Sequence, residues 1–340
     1  MTLGVGVIGV GVLGRRHAEN VARLGPRARL VAVADVNAEA ARAVARELGC
    51  DWTADPRELV ARPDVRAVVI ATGSDTHAAL TVAAAAEGKD SLCEKPLALT
   101  VADAQAAVDA ADRAGVRLQV GFMRRYDPGY RAAYEAIERG EIGRPVLFAA
   151  ISRDAQPPPR AYFISPGAGG LFIDSGIHDF DLARWLMRDE VATVSATGAL
   201  VACHDQADVQ PIDLGLATLT FRGGAAGTVQ VYRRAVYGYD IRTEVVGTEG
   251  TVRVGDDRWR SLQVMRAEGI THTMPHHWLE RFGEAYALEL ADWVERMAGD
   301  RPAAVTGEDG VRSVALAVAA DEARASGRAI ASKSAGKDLE

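Results

Sequence analysis

The sequence predicts an α/β protein in two parts: an N-terminal doubly wound parallel sheet and a C-terminal α+β domain with a large, mainly antiparallel open sheet. At 340 residues the chain exceeds the usual size of one compact core, so two domains are expected. From Gly4 to Gly121, short apolar runs alternate with helix-forming stretches, which is typical of parallel strands with covering helices. After Gly121, strand-like runs follow one another without helices between them, which favours antiparallel pairing.

The elements follow from periodicity and from the turn residues between them. In the first part, strands are predicted at residues 4–10, 29–35, 66–72, 91–94 and 117–121, with helices at 12–24, 38–48, 76–87 and 101–114. In the second part, helices are predicted at 130–139, 174–187, 278–297 and 308–326, with strands at 145–152, 191–202, 213–221, 227–233, 241–246 and 251–254. A Pro/Gly-rich loop is predicted at 156–170, and the tail at 332–340 is expected to fray.

Composition narrows the classes of function. The 39 Lys and Arg residues against 46 Asp and Glu give a net charge of −7, which disfavours nucleic acid or anionic lipid as a partner. The cysteines, Cys50, Cys93 and Cys203, form no CxxC pair, so we expect a reducing compartment, the cytoplasm. No apolar run approaches the roughly 20 residues that cross a bilayer, and glycines interrupt the first one, so neither a membrane span nor a leader is expected.

A glycine motif follows the first predicted strand and opens a helix. In Gly9-Val10-Gly11-Val12-Leu13-Gly14, the first glycine suits a tight turn, the second a close approach of pyrophosphate, and the third helix packing. This context predicts a Rossmann-type dinucleotide site, the alternative being a glycine-rich turn without a ligand.

Asp35 lies 21 residues beyond Gly14, at the end of the second predicted strand. A carboxylate there accepts hydrogen bonds from both ribose hydroxyls and repels a 2′-phosphate, so NAD is predicted rather than NADP. Asp35 could instead cap the next helix, and Ser74 or Asp75 could cap the one after residue 72. The residues expected to contact NAD are Gly9, Gly11, Val12, Leu13, Gly14, Asp35, Val36, Thr72, Gly73, Ser74, His77, Glu94 and Lys95.

Several motifs together resemble the Gfo/Idh/MocA family of oxidoreductases. They are the GxGxxG start, Thr76-His77-Ala78-Ala79-Leu80 and Glu94-Lys95-Pro96. The segments 121–128, 170–181 and 237–240 look specifically like the inositol 2-dehydrogenase branch, and the resemblance covers nearly the whole chain. It implies a domain at 1–121 that binds NAD and a domain at 122–340 that binds substrate and forms a dimer or tetramer, with the last helix able to pack back on the first domain.

The resemblance also implies a catalytic set. Lys95, Asp174 and His178 match the family's catalytic residues, with His178 as the base and Lys95 offsetting negative charge on the substrate oxygen. Asp174 and His178 are four residues apart and share a helix face, as does Asp181, so the carboxylate can orient the imidazole or polarise the hydroxyl. From spacing alone, an ordinary surface helix and a solvated lysine remain alternatives.

The expected substrate is a small polyhydroxylated ring, with myo-inositol as the leading case. Its predicted contacts are Lys95, Arg125, Ser152, Asp174, His178 and Tyr237, although Arg125 and Tyr237 could be ordinary surface residues. Some members of the branch carry histidine before an Arg-Asn pair, where this chain reads Ser152-Arg153-Asp154, a change that bears on which ring is bound.

Other interpretations remain. The histidines at 272, 276 and 277 and the pair Cys203-His204 lack the spacing of a zinc site, so no metal is expected. His276, His277 and Trp278 could line the rim of the cavity or a solvent-facing loop. The same site could serve a tailoring dehydrogenase acting on a sugar ring of a glycoside or aminoglycoside, or a hydrolase that oxidises its substrate transiently. A non-catalytic dinucleotide sensor is the alternative of another class.

Overall fold

The computed structural model describes residues 2–255 and 263–332. The first part is a six-stranded, entirely parallel sheet with strand order β3-β2-β1-β4-β5-β6. Its strands are β1 (Leu3–Ile8), β2 (Ala28–Ala34), β3 (Asp51–Thr53), β4 (Ala67–Ile70), β5 (Asp90–Glu94) and β6 (Leu118–Gly121). Its helices are α1 (Val12–Arg23), α2 (Ala38–Leu48), α3 (Pro56–Val60), α4 (His77–Ala86) and α5 (Val101–Ala114). The strand order places the topological switch between β1 and β4, where doubly wound sheets bind ligands.

The second part is built on a seven-stranded sheet with order β12-β11-β7-β10-β9-β8-β15. Its strands are β7 (Pro145–Arg153), β8 (Val191–Ala199), β9 (Leu214–Phe221), β10 (Ala226–Tyr232), β11 (Asp240–Gly247), β12 (Thr251–Val254) and β15 (Ile330–Ala331), with a separate hairpin of β13 (Val264–Arg266) and β14 (Gly269–Thr271). Only β7 and β10 pair in parallel within this sheet, so it is mainly antiparallel, as predicted. The predicted fold class is therefore confirmed.

The helices of the second part are α6 (Pro128–Glu138), α7 (Arg160–Phe163), α8 (Ile177–Met187), α9 (Trp278–Ala298) and α10 (Gly307–Ser326). The predicted helix 174–187 differs at its start, because residues Phe172–Gly176 form a wider π-helical turn that runs into α8. Most of the predicted tail lies outside the described residues, although Ser332 still donates its amide to Ala192 in the sheet.

Local signals explain why several helices begin and end where they do. Asn37 accepts a hydrogen bond from the amide of Ala40 at the start of α2, and Gly49 ends that helix in the left-handed conformation. At the start of α10, Thr306 and Asp309 form a reciprocal capping box. By contrast, β3 and α3 were missed because they span only three and five residues, too few for a periodic pattern.

The two C-terminal helices tie the parts together. α9 packs against α1, and its Leu290 and Trp293 belong to the same buried cluster as Val5 and Val33 of the first sheet. α10 packs between α5 of the first part and α8 of the second. The helices α9 and α10, which come late in the chain, thus pack on the first part and cover some of its surface. Among the described residues, no helix combines the length and apolar character that crossing a bilayer requires.

The cover provided by α9 can be measured with one pair of leucines on that helix. Leu290 is fully buried, whereas Leu288 is 42% exposed. We expect Leu290→Ala to lower the free energy of unfolding by about 2–5 kcal/mol, because the cavity left in the core is not refilled. Leu288→Ala should change it by less than about 0.5 kcal/mol. Urea denaturation measures both, and equal effects of the two variants would contradict the assigned packing.

Candidate active site

The glycine turn between β1 and α1 is open on the side where a dinucleotide would lie. Gly9 has a φ of +87°, and a Cβ there would come within 2.5 Å of the carbonyl oxygen of Ala71. A Cβ on Gly14 would meet the carbonyl oxygen of Gly9 at 1.9 Å, whereas a Cβ on Gly11 would meet nothing. No side chain caps α1, so the amides of Val12 and Leu13 are not used by a cap. The turn therefore has the close packing and the free donors that a pyrophosphate needs.

Asp35 is held by backbone amides at the edge of this turn. One carboxylate oxygen accepts from the amide of Val10 and the other from the amide of Asn37, each at 2.8 Å. The cap of α2 is Asn37, so the alternative of Asp35 as a helix cap does not apply. Because each carboxylate oxygen has a second lone pair, Asp35 can still accept from ribose hydroxyls. The neighbouring residue Val36 is exposed and leaves room for the ribose.

The turn after β4 differs from the prediction in two respects. α4 begins at His77 with Thr76 in the N-cap position, and no side chain, neither Ser74 nor Asp75, caps it. His77 is buried, and its two ring nitrogens lie 2.7 Å from the carbonyl oxygen of Pro96 and 3.2 Å from that of Thr72. Burial lowers the pKa of His77. This histidine therefore joins the turns at Thr72 and Pro96, while Thr72 and Gly73 border the switch point.

Glu94 also lies away from the expected position. Its side chain is buried, with one carboxylate oxygen 2.6 Å from Nε2 of His17 in α1. The pair joins the glycine-turn helix to the end of β5. Glu94 is therefore placed behind the site, whereas the next residue, Lys95, faces the cavity.

The predicted catalytic residues meet at one cavity of about 700 Å³ between the two sheets. Lys95 Nζ donates to the backbone carbonyl of Asp174 at 2.8 Å and lies 3.7 Å from the carboxylate. His178 lines the same cavity, and so does Leu13 of the glycine turn. The cavity is lined by Leu13, Lys95, Met123, Arg124, Ser152, Asp154, Ala155, Gln156, Pro157, Pro158, Pro159, Tyr162, Asp174, Ser175, His178, Arg233, Tyr239, Ile241, His276, His277, Trp278 and Tyr286.

The charges around Asp174 favour its ionised form. Burial raises the pKa of this carboxyl group, but the positive charges of Arg233 and Lys95 and a hydrogen bond from Tyr162 outweigh burial, so its pKa is lowered. Arg233 donates to one carboxylate oxygen at 2.8 Å. Asp174 is therefore a carboxylate near neutral pH.

His178 is neutral under the same conditions. Its pKa is well below the usual value, first because the ring is buried and then because Lys95 and Arg124 are positively charged. Its Nδ1 is buried without a hydrogen-bond partner among the described residues, which leaves Nε2 for the cavity. Asp174 does not hydrogen-bond this Nδ1, so the expectation that the carboxylate orients the imidazole finds no support. The ring instead packs edge-on against Phe122.

The two arginines after β6 face different ways. Arg125 was expected to bind substrate, but its guanidinium is buried in a bidentate pair with Asp181 of α8, at 2.8 and 2.5 Å. It does not line the cavity. Arg124 does, and it is held by Asp179 at 2.6 Å and by Ser152 at 3.1 Å. The predicted contact of Ser152 with the cavity is consistent with this arrangement.

Tyr237 also lies outside the cavity. Its hydroxyl donates to Asp240 at 2.7 Å and accepts from Arg153 at 2.8 Å, and half of the residue is exposed. The rim residues His276, His277 and Trp278 do border the cavity, with His277 also accepting a hydrogen bond from the amide of Leu279 at the start of α9.

The cavity also holds residues that the sequence did not single out, among them Arg124, Asp154, Tyr162 and Arg233. Asp154 and Arg233 directly follow the parallel pair β7 and β10. Burial raises the pKa of Asp154 to about 6, against the opposing charge of Arg233. The signal that could have identified Asp154 and Arg233 from the sequence is a polar residue at the end of a predicted strand. Among the described residues, no three His, Cys, Asp or Glu side chains are grouped as a metal requires.

The fold and the site together define a class of protein. A dinucleotide-binding sheet, whose glycine turn opens onto a cavity with an ammonium, a carboxylate and a neutral imidazole, is the arrangement of an NAD-dependent dehydrogenase of alcohols. Two family models match the chain: "Oxidoreductase family, NAD-binding Rossmann fold" over residues 3–122 and "Oxidoreductase family, C-terminal alpha/beta domain" over residues 134–331. The chain belongs to the Gfo/Idh/MocA family of oxidoreductases, and its cofactor is NAD.

Known proteins of this family are similar over nearly the whole chain. The scyllo-inositol 2-dehydrogenase (NAD(+)) of Bacillus subtilis is 39% identical, over 92% of this chain and 92% of that protein. The myo-inositol 2-dehydrogenase of Thermotoga maritima is 36% identical, over 93% and 94%. The crystal structure of scyllo-inositol dehydrogenase from Lactobacillus casei with bound NAD(H) and scyllo-inositol superposes with a TM-score of 0.91 at 29% identity, over 97% and 99%. The predicted family is confirmed.

The titration of Asp154 gives a pH test of the cavity. Above pH about 6 this group is a carboxylate that accepts hydrogen bonds, and below it protonation removes part of that capacity. We expect kcat/KM for the alcohol substrate to fall as the pH drops through about 6, and Asp154→Asn to lack this step. The control is Asp300→Asn, whose side chain is fully exposed. Persistence of the step in Asp154→Asn would show that another group titrates.

Proposed function

We propose that this protein is an NAD-dependent cyclitol dehydrogenase that oxidises one secondary ring hydroxyl, with myo-inositol and its 2-keto product as the leading pair. The observation that carries the proposal is the meeting of Lys95, Asp174 and His178 at one cavity that reaches Leu13 of the glycine turn. The inositol dehydrogenases to which the chain is similar over more than nine-tenths of its length support the ring as substrate.

The charge balance of the cavity supports an uncharged polyol. Three cations line the cavity, Lys95, Arg124 and Arg233, and they are matched by the lining carboxylates of Asp154 and Asp174 and by the fully buried Asp179, which pairs with Arg124. A charged substrate would leave one side of this balance uncompensated in a partly buried site. The neutral hydroxyls of a cyclitol can instead donate to the carboxylates and accept from the cations.

Proton transfer assigns a role to each residue. When bound, NAD accepts the hydride from the carbon that bears the hydroxyl group. His178, neutral through burial, takes the hydroxyl proton at Nε2. Lys95 donates a hydrogen bond to the same oxygen and stabilises its negative charge. Asp174, ionised and held by Arg233, keeps the ammonium of Lys95 close to the reacting oxygen.

The proposal includes the division of the chain at Gly121, the assembly of the protein and its location. Residues 1–121 bind NAD, and residues 122–340 bind the ring and form the contact between copies. The outward face of the large sheet carries Leu147, Leu214 and Leu216, each roughly two-fifths exposed, which supports a dimer or tetramer that covers this face. The free cysteines are in keeping with a cytoplasmic enzyme.

A substrate survey tests the function. NADH formation is followed with purified protein, NAD and a panel of inositol isomers, monosaccharides and aminoglycosides. We expect the highest kcat/KM with an inositol. NADH from an aminoglycoside or a glycoside alone would replace the cyclitol by a sugar ring as substrate, and sugar release without net NADH would indicate a hydrolase.

Two variants test the assigned roles. His178→Ala removes the base and Lys95→Ala the ammonium, so each should lower kcat by about 100-fold or more, while the Kd for NAD from titration calorimetry stays near the wild-type value. His204→Ala, at an exposed position outside the cavity, is the control and should keep the wild-type kcat. Wild-type turnover in either test variant would remove that residue from the mechanism.

Light scattering during size-exclusion chromatography tests the assembly. Leu147→Glu combined with Leu216→Glu places charge on the outward face, and we expect the particle to shift from a dimer or tetramer to a monomer, because two buried like charges oppose association. A monomeric wild-type protein would contradict the proposed assembly.

A further inference from the structure

One loop touches both halves of the site. Residues 155–170 connect the end of β7 to the π-helical turn, and this 155–170 loop includes α7. At one point it contacts the carboxylate of Asp174, and at another it packs against the turn after β4, at residues 73–75. The function proposed above uses neither contact.

The contact with Asp174 is made by Tyr162. Tyr162 and Asp174 line the same cavity, and a hydrogen bond from the tyrosine hydroxyl is among the causes of the low pKa of the carboxyl group. The next residue, Phe163, lies beneath the guanidinium of Arg233, 5.2 Å from its ring centre, and Arg233 donates to the same carboxylate at 2.8 Å. The loop therefore supports Asp174 directly through Tyr162 and indirectly through Arg233.

The contact with the dinucleotide domain is made by the backbone of Gly167. A Cβ on this buried residue would lie 2.7 Å from Oδ1 of Asp75, 3.0 Å from the amide nitrogen of Ser74 and 3.3 Å from Cα of Gly73. A side chain at this position would require the carboxylate of Asp75 to turn away and the backbone of the turn to shift by a few tenths of an ångström. Gly73 and Ser74 belong to the turn at the carboxyl edge of the first sheet, where a bound dinucleotide lies.

Backbone hydrogen bonds make the segment between these contacts stiff. The amide and hydroxyl of Ser165 both donate to the carbonyl oxygen of Tyr162, at 3.1 and 2.6 Å, and the amide of Ala168 donates to the carbonyl oxygen of Ser165 at 3.1 Å. At the end of the loop, the amide of Asp174 donates to the carbonyl oxygen of Gly170 at 2.9 Å. A displacement at Gly167 is therefore transmitted to Tyr162 and Asp174.

We propose that Tyr162 is a positioning residue for Asp174 and that the 155–170 loop, through Gly167, couples binding of NAD at the turn 73–75 to the placement of that carboxylate. The inference rests on the proposed function for its kinetic test. NAD bound at the turn 73–75 stabilises the packing of Gly167 against that turn, and the loop then holds Tyr162 next to Asp174. Binding of NAD therefore increases the affinity for the ring, and the ring increases the affinity for NAD by the same factor.

Tyr162→Phe tests the positioning role, because it removes one hydroxyl and keeps the ring. We expect kcat to fall about tenfold or more, since a hydrogen bond to a charged group is lost, and the Kd for NAD to rise at most severalfold, because the two sites are coupled. On the acid side of the step that Asp154 gives at about pH 6, the further loss of kcat on protonation of Asp174 should begin at higher pH, because loss of the bond raises the pKa of Asp174. Tyr134→Phe is the matched control, a tyrosine whose hydroxyl donates to the exposed Glu138 of α6 at 3.2 Å. Unchanged kcat and pH profile in Tyr162→Phe would overturn the positioning role.

Gly167→Ala tests the coupling, because the added Cβ pushes the loop and the turn apart by a few tenths of an ångström. We expect the Kd for NAD to rise severalfold and kcat to fall as in Tyr162→Phe. Hydrogen exchange gives a readout that needs no turnover: NAD should protect the amides of residues 160–168 in the wild type and not in Gly167→Ala. Gly283→Ala in α9, where a Cβ meets no atom within 4 Å, is the control and should behave as the wild type.

The outcomes separate the two proposals. A wild-type protein that forms no NADH with any ring alcohol removes the proposed function, while NAD affinity and exchange still report on the loop. Absence of protection by NAD in an active wild type, or wild-type Kd and kcat in a folded Gly167→Ala, would overturn the coupling. Thermal melting of every variant shows whether it is folded, and if Gly167→Ala does not fold, the exchange result on the wild type decides alone.

Discussion

The hydrogen bond from Lys95 to the carbonyl of Asp174 joins the two parts of the site, across 79 residues of chain. Lys95 follows a strand of the dinucleotide sheet, and Asp174 lies in the turn that opens α8. A backbone carbonyl has no rotamers, so it fixes the ammonium more tightly than a flexible carboxylate alone would. In the proposed mechanism, the placement of the ammonium of Lys95 beside His178 therefore depends on this contact.

The electrostatics of the site follow from how its charges are paired. Buried ion pairs are costly to desolvate, and here their geometry matters more than their number. Arg233 and Tyr162 hold Asp174 ionised, whereas the nearby cations and burial keep His178 neutral. The same positive charge thus stabilises the carboxylate of Asp174 and opposes protonation of His178. In the proposed mechanism, where His178 is the base and must be unprotonated to act, the cations serve both requirements of an alcohol oxidation.

The two sheets and the glycine turn could be predicted from the sequence, because the alternation of strands and helices and the spacing of a motif are local properties. The meeting of Lys95, Asp174 and His178 could be predicted from the resemblance to the family. The sequence could not tell which of Arg124 and Arg125 faces the cavity, since a short 3₁₀ turn with no periodic pattern sets that choice. Nor could it place Tyr162, because an irregular proline-rich segment gives no register. The π-helical turn before α8 likewise has no sequence signature, although it moves the predicted start of that helix.

The packing of α9 argues that the two parts form one cooperative structure rather than a carrier and an attached module. Trp278 and Tyr286 line the cavity at the start of this helix, and Leu290 and Trp293 enter the core of the first sheet further along it. The helix therefore runs from the rim of the substrate site into the support of the dinucleotide site. Loss of packing at Trp293 would displace Tyr286, about two turns away, because a helix transmits displacement along its axis. Helix α9 thus helps to hold the first sheet against the cavity.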